Sequence, residues 1–397
     1  MKKINTNYSF IAVVSLFFLW ALAHNLNPIL IPHLKRACQL SDMQSALVDA
    51  AFYIAYFLFA LPAGFVIQRY GYQKTIVSGL FLFAMGALLF YPAAAQLSYP
   101  FFLLALFIVA AGLTFLETAA NPYVGILGPP ETATQRLNFA QAFNGLGGTL
   151  AAMIGGKFIL SNATRTTIIT RETLLEEASF VQMPYVFIAL LVLLVMFIFM
   201  RIPLPDIRNN ETSTKFSFKS LWANLILRKA LIAQFFYVGA QVGAGSFFIR
   251  YVTNQTNVSQ QEAAYYLSSA LFLFMLGRFV GSYLMRFIQP KKLLFIYACI
   301  NIFLMAIVIA ALGTISLIAY MLVFFFMSIM FPSIFSIGIQ NLGSNARFGS
   351  SLMVMTIVGG AFLPLIMGYI SDHSAIQFAY IVPLSCFAII GKFASGK

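Results

Sequence analysis

Charged residues are scarce in this chain. They make up 9% of its 397 residues, whereas a soluble protein carries about 25%. Hydrophobic residues account for 61% of the sequence. This balance excludes a protein built around one water-soluble core and predicts a polytopic membrane protein.

Cysteine is equally sparse. Cys38, Cys299 and Cys386 are odd in number and far apart, so they predict neither a disulfide framework nor a metal site. We also expect no cleavable signal peptide, because the apolar run after Lys3 continues to about Leu34. That run is too long for the apolar core of a signal peptide, and we expect it to be retained as the first membrane span.

Motifs of soluble enzymes are absent as well. The sequence contains no phosphate-binding Gly-Lys-Ser/Thr loop, no His/Cys cluster and no nucleophile elbow. We therefore predict a protein that is not an enzyme and has no cofactor. If the protein moves a solute across the membrane, the missing ATP site means that the driving force is an ion gradient or the gradient of the solute. The net charge of +13 comes with no basic stripe interleaved with aromatics, which argues against nucleic-acid binding.

About twelve segments are long and apolar enough to cross a bilayer, which takes about 20 residues each. In chain order they are Phe10–Leu34, Ala46–Ile67, Thr75–Ala95, Phe101–Leu127, Ala140–Leu160, Pro184–Met200, Ala230–Tyr251, Ala263–Phe287, Leu293–Leu312, Ser316–Ile339, Ser350–Ile370 and Ile376–Phe393. A polar connector, residues 201–224, divides them. The predicted organisation is an N-terminal six-helix half (1–200), a cytoplasmic connector (201–224) and a C-terminal six-helix half (225–397).

Basic residues are distributed unequally between the predicted loops. With the N-terminus inside, most of them fall on the inner side, and the outer side holds only Lys35, Arg36, Lys157, Arg165, Arg171 and Arg250. Short inner loops of membrane proteins are enriched in Lys and Arg. We therefore predict that both termini are cytoplasmic.

The two halves resemble each other. The second and eighth spans are each followed by a basic turn, at residues 68–74 and 286–292, and the fifth and eleventh spans are both rich in glycine. Small residues allow membrane helices to pack closely. Two such halves are typical of a major facilitator transporter. The alternative is a twelve-span channel or receptor.

Glu117 is the most informative residue. It follows an apolar run, residues 101–115, that contains no charge, and a carboxylate at that depth costs on the order of 3 kcal/mol. Thr114, Thr118 and Asn121 flank it, and Pro122 interrupts the helix. The functional interpretation is a proton carrier or a hydrogen-bond acceptor for substrate. The alternative is a carboxyl that caps a neighbouring helix or pairs with a buried base.

Other polar residues interrupt the first two spans. Asn25 and Asn27 lie beside Pro28 in the first span, next to His24. They are candidates to contact a substrate, although amides near a proline kink are also satisfied by neighbouring helices. Asp49 lies near the outer end of the second span. It either titrates or caps the start of its helix.

Neutral amides mark the fifth and seventh spans. Gln141 and Asn144 are three residues apart and share one helix face, and Gln234, Tyr237 and Gln241 share another. Amides together with aromatic rings suit a sugar, whose hydroxyls need donors and acceptors. The alternative is hydrogen bonding between helices. For Arg278, in the eighth span, we expect a structural partner.

These motifs resemble the fucose–proton symporter family of the major facilitator superfamily, nearly end to end. The matching segments are 25–32, 116–122, Arg136-Leu137-Asn138 with Gln141 and Asn144, Ala240-Gln241, 248–251, 332–336 and 349–351. The resemblance implies that Glu117 is the site carboxylate and that Asn25, Gln141 and Asn144 contact the sugar. It also implies import of L-fucose, or of glucose, galactose, mannose or N-acetylglucosamine, with a proton and in some members sodium.

One position departs from the family pattern. The family has an Asp after Asn-Leu-Asn in the first span, where this chain has Pro28, and we hypothesise that Asp49 takes over the titration. The predicted function is L-fucose–proton symport by alternating access. The alternatives are transport of glucose, galactose or N-acetylglucosamine, sodium coupling, or an uncoupled uniporter. We expect a monomer in the lipid bilayer of a bacterial inner membrane, with a monosaccharide as its substrate.

Overall fold

The computed structural model describes residues 6–40, 42–155, 170–202, 204–205, 218–256, 258–340 and 342–396. Within these ranges the chain is helical and forms no strand. The α-helices, numbered in chain order, are α1 Thr6–Ala37, α2 Asp42–Ala95, α3 Tyr99–Ile126, α4 Ala133–Gly155, α5 Arg171–Ser179, α6 Gln182–Arg201, α7 Phe218–Ala223, α8 Leu225–Thr256, α9 Gln260–Leu284, α10 Pro290–Ala310, α11 Thr314–Met327, α12 Met330–Ile339, α13 Ala346–Met355, α14 Gly359–His373 and α15 Ile381–Ser395.

The described helices cover most of the predicted spans. The fifth predicted span, Ala140–Leu160, begins in α4, and its last five residues lie outside the described part of the structure. Nine helical segments among the described residues are long and apolar enough to cross a membrane. One of them, Ala51–Ala95, is 45 residues long and covers the second and third predicted spans together. A shorter apolar segment, Ser9–Leu22, lies within the first predicted span. The prediction of an all-α polytopic membrane protein is therefore confirmed.

Gly71 separates the second and third spans inside α2. Its backbone has φ 86° and ψ 172°, a conformation that is not helical. A positive φ is costly for residues with a Cβ, and glycine adopts it without that cost. The helix therefore kinks within the basic turn at residues 68–74, where the sequence predicts a connection between two spans.

The chain divides into two compact units. The first contains Met1–Tyr123 and Leu146–Glu211. In it, α2 packs along α6, and the rings of Phe90 and Tyr185 stack with centroids 3.7 Å apart. Gln73 Nε2 donates to the carbonyl oxygens of Phe199 and Ile202, at 2.8 Å and 2.9 Å, and so satisfies the C-terminal end of α6.

The second unit contains Val124–Gly145 and Thr212–Lys397. In it, α8 packs against α12, α14 and α15, and α10 packs against α11 and α15. Tyr251, Tyr320 and Tyr380 are fully buried and place their rings edge to face. Each hydroxyl donates to a main-chain carbonyl, at 2.6 Å, 2.6 Å and 3.2 Å respectively. Satisfied hydroxyls are required here, because a membrane interior offers no water as a substitute partner.

Arg136 shapes the turn between α3 and α4. Its guanidinium donates to the carbonyl oxygens of Val124, Gly125 and Pro129, at 3.2 Å, 2.6 Å and 2.9 Å, and also to the hydroxyl of Thr132. The first two carbonyls lie in the last turn of α3, where helical donors are lacking. Arg136 therefore caps the end of the helix that carries Glu117.

Glycines bring several helices into close contact, as the glycine-rich spans predict. A Cβ built on Gly147 would lie 2.4 Å from Phe18 O in the first unit, and one on Gly359 would lie 2.2 Å from Phe235 O in the second. These distances leave no room for a methyl group. The glycines therefore allow the helix backbones to approach each other directly.

Candidate functional site

Glu117 is buried in α3 of the first unit, with 8% of its surface exposed. Its Oε1 accepts a hydrogen bond of 2.8 Å from the hydroxyl of Tyr56, which is buried in α2. The centroid of the Tyr56 ring lies 5.3 Å from that of Phe52, and the His24 ring of α1 lies 5.2 Å from the same Phe52 ring. Packing from α1 and α2 thus holds the phenol against the carboxyl.

The partner of Glu117 is a neutral donor. No basic side chain among the described residues forms an ion pair with it, which disfavours the alternative of a carboxyl paired with a buried base. A carboxyl held by a phenol can take up or release a proton without breaking a salt bridge. Buried carboxyl groups of this kind mark proton or substrate pathways in membrane proteins.

Sequence reasoning did not identify Tyr56. It lies seven residues after Asp49 in the same helix, a spacing that places both residues on one helix face. Asp49 lies in α2 and Asn27 lies in α1, but both side chains are outside the described part of the structure. The partner of the carboxyl therefore lies on the same span as the candidate Asp49.

Asn25 lies in α1, half-buried. Its Nδ2 donates to Ala21 O one turn earlier, at 2.8 Å. Gly148 of α4 lies directly beside this amide, since a Cβ on Gly148 would come within 2.9 Å of Nδ2. The close approach of α1 to α4 in the first unit is thus built around Asn25.

Gln141 and Asn144 lie in the part of α4 that belongs to the second unit, and both approach Arg278 of α9. Nη1 of Arg278 donates to Gln141 O at 2.6 Å and to Asn144 Oδ1 at 3.4 Å. Nε of the same guanidinium donates to Ser328 O at 3.1 Å, and its Cζ lies 4.5 Å from the centre of the Phe274 ring. Arg278 therefore has the structural partners that we expected.

Further polar contacts connect the start of α4 to α9 and α12. The hydroxyl of Thr134 lies 2.9 Å from that of Ser336, and Asn138 Nδ2 lies 3.2 Å from Ser333 Oγ. Ser282 Oγ donates to the main-chain carbonyl of Gln135 at 3.1 Å. Hydrogen bonding between helices therefore occurs along this stretch, which was the alternative weighed for its amides.

The polar residues of α8 differ in their surroundings. Gln234 is fully buried, and neither end of its amide has a hydrogen-bond partner among the described residues. The hydroxyl of Tyr237 donates to Met327 O at 3.0 Å, whereas Gln241 is half-buried.

In the described part of the chain, no three His, Cys, Asp or Glu residues cluster closely enough to hold a metal ion.

The fold and these polar positions together define a membrane transporter of a known class. The family model for the Major Facilitator Superfamily matches residues 9–362. The chain belongs to this superfamily, and the predicted fold class is confirmed.

Its relatives include sugar transporters. The chain is 41% identical to an "L-fucose-proton symporter" of Escherichia coli over 97% of its own length and 92% of the relative's. It is 40% identical to a "Glucose/galactose transporter" of Brucella abortus over 98% of its length and 94% of the relative's. A crystal structure of the transporter FucP "in the outward conformation" matches 98% of both chains at 41% identity, with a TM-score of 0.89. These matches confirm the resemblance to the fucose–proton symporter family.

Proposed function

We propose that this protein is a secondary active importer of a monosaccharide, L-fucose, and that a proton enters with the sugar. The observation that carries the proposal is the 41% identity to an L-fucose–proton symporter over nearly the whole chain. The buried Glu117, bound to Tyr56 and to no base among the described residues, supports it chemically. Such a carboxyl is suited to exchange a proton during transport.

We assign roles to the candidate residues on the same basis. Glu117 exchanges the coupling proton, and Asp49 is a second titrating group in place of the acid that Pro28 replaces. The candidates for contact with the sugar are Asn25, Asn27, Gln141, Asn144, Tyr237 and Gln241. Amide side chains carry donor and acceptor groups of the kind that sugar hydroxyls need. The hydroxyl of Tyr237 already donates to Met327 O, so it would act toward a sugar as an acceptor.

The setting follows from the hydropathy and charge pattern. The protein would operate by alternating access as a monomer in the lipid bilayer of a bacterial inner membrane, with both termini cytoplasmic. Its functional halves would be residues 1–200 and 225–397, joined by the connector at 201–224. No nucleic acid or cofactor takes part in this scheme.

A second candidate substrate is glucose or galactose. The relative from Brucella abortus, at 40% identity, is named for these sugars. Sodium coupling and uncoupled uniport are the alternatives for the driving force. They follow from Pro28, which stands where the family has an Asp.

The experiment is uptake of labelled L-fucose, glucose, galactose and N-acetylglucosamine into proteoliposomes. Each sugar is offered with an inward proton gradient, with an inward sodium gradient, and with neither. Accumulation of L-fucose above equilibrium only with the proton gradient supports the proposal. Equilibration that ignores both gradients would establish a uniporter.

The variant Glu117→Gln separates coupling from sugar binding. Glutamine keeps the shape and the acceptor oxygen but cannot exchange a proton. We expect this variant to lose proton-driven accumulation and to keep exchange of labelled for unlabelled sugar across the membrane. Full proton-driven accumulation of sugar by Glu117→Gln would show that Glu117 does not exchange the coupling proton.

A further inference from the structure

Arg278 is a charged residue in an apolar setting. It lies in α9, and only 3% of its surface is exposed. No carboxylate among the described residues forms an ion pair with it. Charged groups inside membrane proteins are rare and usually have a specific task. The partners of this guanidinium therefore indicate what it does.

Two of its three hydrogen bonds go to main-chain carbonyls. The first acceptor, Ser328 O, lies where α11 ends and α12 begins, and the helical donor four residues later would be residue 332. That residue is a proline and has no N–H. Arg278 Nε therefore supplies a donor that Pro332 cannot. The second carbonyl, that of Gln141, belongs to α4.

The third hydrogen bond orients the side-chain amide of Asn144. Arg278 Nη1 points to Asn144 Oδ1, and a guanidinium can only donate. The carbonyl end of the amide is thereby held, and the amide nitrogen is left facing elsewhere. Asn144 is half-buried, and the hydrogen bond from Arg278 is the one that its side chain makes among the described residues.

We propose that Arg278 is a positioning residue for sugar recognition. It holds the carbonyl end of the Asn144 side chain so that the amide nitrogen donates to a hydroxyl oxygen of the sugar. The inference rests on the proposed function, in which Asn144 contacts the sugar. It adds the orientation of that contact and assigns it to a residue outside the proposed binding set.

An arginine is needed for this arrangement. Two nitrogens of the planar guanidinium donate to three oxygens at once: two on α4 and one at the α11–α12 junction. A lysine ammonium, in contrast, is a compact donor on a flexible side chain. Arg278→Lys would keep the positive charge and lose the fixed orientation of Asn144. The Asn144 amide could then rotate and present its oxygen, instead of its nitrogen, to the sugar.

The test is a double-substitution cycle in proteoliposomes, with KM and maximal rate of L-fucose uptake measured separately. Arg278→Lys and Asn144→Ala are each expected to raise KM by about tenfold, the effect of one hydrogen bond of this kind. Because both act on one contact, the double variant is expected to show a KM close to that of Asn144→Ala alone. A KM in the double variant equal to the product of the two effects would overturn the proposal.

Two further variants keep the result decisive. Asn144→Asp preserves an acceptor for Arg278 and removes the amide donor, so its KM should rise as in Asn144→Ala; a KM equal to that of the unaltered protein would also overturn the proposal. Ser282→Ala removes another α9 contact to α4 one turn away and should leave KM unchanged. An equal rise in Ser282→Ala would mean that any loosening of α9 from α4 has this effect, which contradicts a specific role for Arg278. If the unaltered protein moves none of the four sugars, the proposed function fails first and independently.

Discussion

Among the described residues, the buried carboxyl of Glu117 has one hydrogen-bond partner, Tyr56. The apolar run before Glu117 supplies no polar group, and its own helix offers only the short side chains of Thr114, Thr118 and Asn121 nearby. Thr114 is occupied, since its hydroxyl donates to Ala110 O at 2.7 Å. The donor for the carboxyl comes instead from Tyr56, 61 positions earlier. The phenol therefore determines where the carboxylate oxygen points.

Tyr56→Phe tests this dependence at the scale of the residue. Phenylalanine retains the ring that packs on Phe52 and removes only the hydroxyl, which leaves a buried acceptor without its donor. A hydrogen bond to a charged group is worth about 1.5–3 kcal/mol. We expect the rate of proton-driven sugar uptake to fall at least tenfold, as measured in proteoliposomes that contain equal amounts of protein.

The matched control for this prediction is Tyr91→Phe. It removes a hydroxyl from an exposed ring of the same helix, 35 residues from Tyr56 along the chain, and leaves the hydroxyl bound to Glu117 in place. The control should transport at nearly the normal rate. Equal losses in both variants would show that the helix, rather than the bond to Glu117, is sensitive to the change.

At the scale of the element, the helices are fitted to one another through glycines. Gly359, at the start of α14, lies so close to Phe235 of α8 that a methyl group would come within 2.2 Å of a main-chain oxygen. A backbone atom cannot rotate away as a flexible side chain can. Any side chain at position 359 therefore has to push α14 and α8 apart.

Gly359→Ala is expected to destabilise the protein by about 1–3 kcal/mol, the usual cost of overpacking a tight interface. The measurement is the midpoint of thermal unfolding in detergent, followed by intrinsic fluorescence. Gly245→Ala is the comparison, because a Cβ on Gly245 of α8 meets nothing within 4 Å. A midpoint that drops equally in both variants would contradict the packing argument.

At the scale of the whole molecule, hydropathy alone predicted most of the fold. The described parts of the predicted spans fall on a helix or on a pair of helices separated by a short break, because lipid imposes length and apolarity on every span. Residues 156–160, at the end of the fifth span, lie outside the described residues. The amides of the fifth span were found from their spacing. The sequence also singled out Arg278 as a residue that needs a partner.

The contacts of these residues could not be predicted. Tyr56 is one of 18 tyrosines, and nothing local marks it as the partner of a carboxyl on another helix. Arg278 binds two main-chain carbonyls, which every residue possesses and which leave no trace in the sequence. The missing N–H of Pro332 was the one available clue to the Ser328 carbonyl. Patterns in sequence thus predict elements well, whereas pairs between elements depend on packing.

The orientation of the molecule in its membrane is the remaining prediction at this scale. Helix α10 has 21 residues and is therefore about 31 Å long, close to the thickness of the apolar layer of a bilayer. Arg286 lies just before α10, and Lys291 and Lys292 lie in its first turn, whereas the turn that follows the helix, residues 311–313, has no charge. Positive charge is retained on the cytoplasmic side, so the start of α10 should lie inside and its end outside.

Two single-cysteine variants test both ends of α10, in a background where Cys38, Cys299 and Cys386 are replaced by serine or alanine. Gln289→Cys and Thr314→Cys introduce thiols at exposed positions just before and just after the helix. A membrane-impermeant maleimide is expected to label Thr314→Cys in intact cells and Gln289→Cys only after the cells are permeabilised. The reverse labelling pattern would contradict the predicted orientation. It would place both termini outside the cytoplasm, because the number of spans on each side of α10 determines on which side of the membrane each terminus lies.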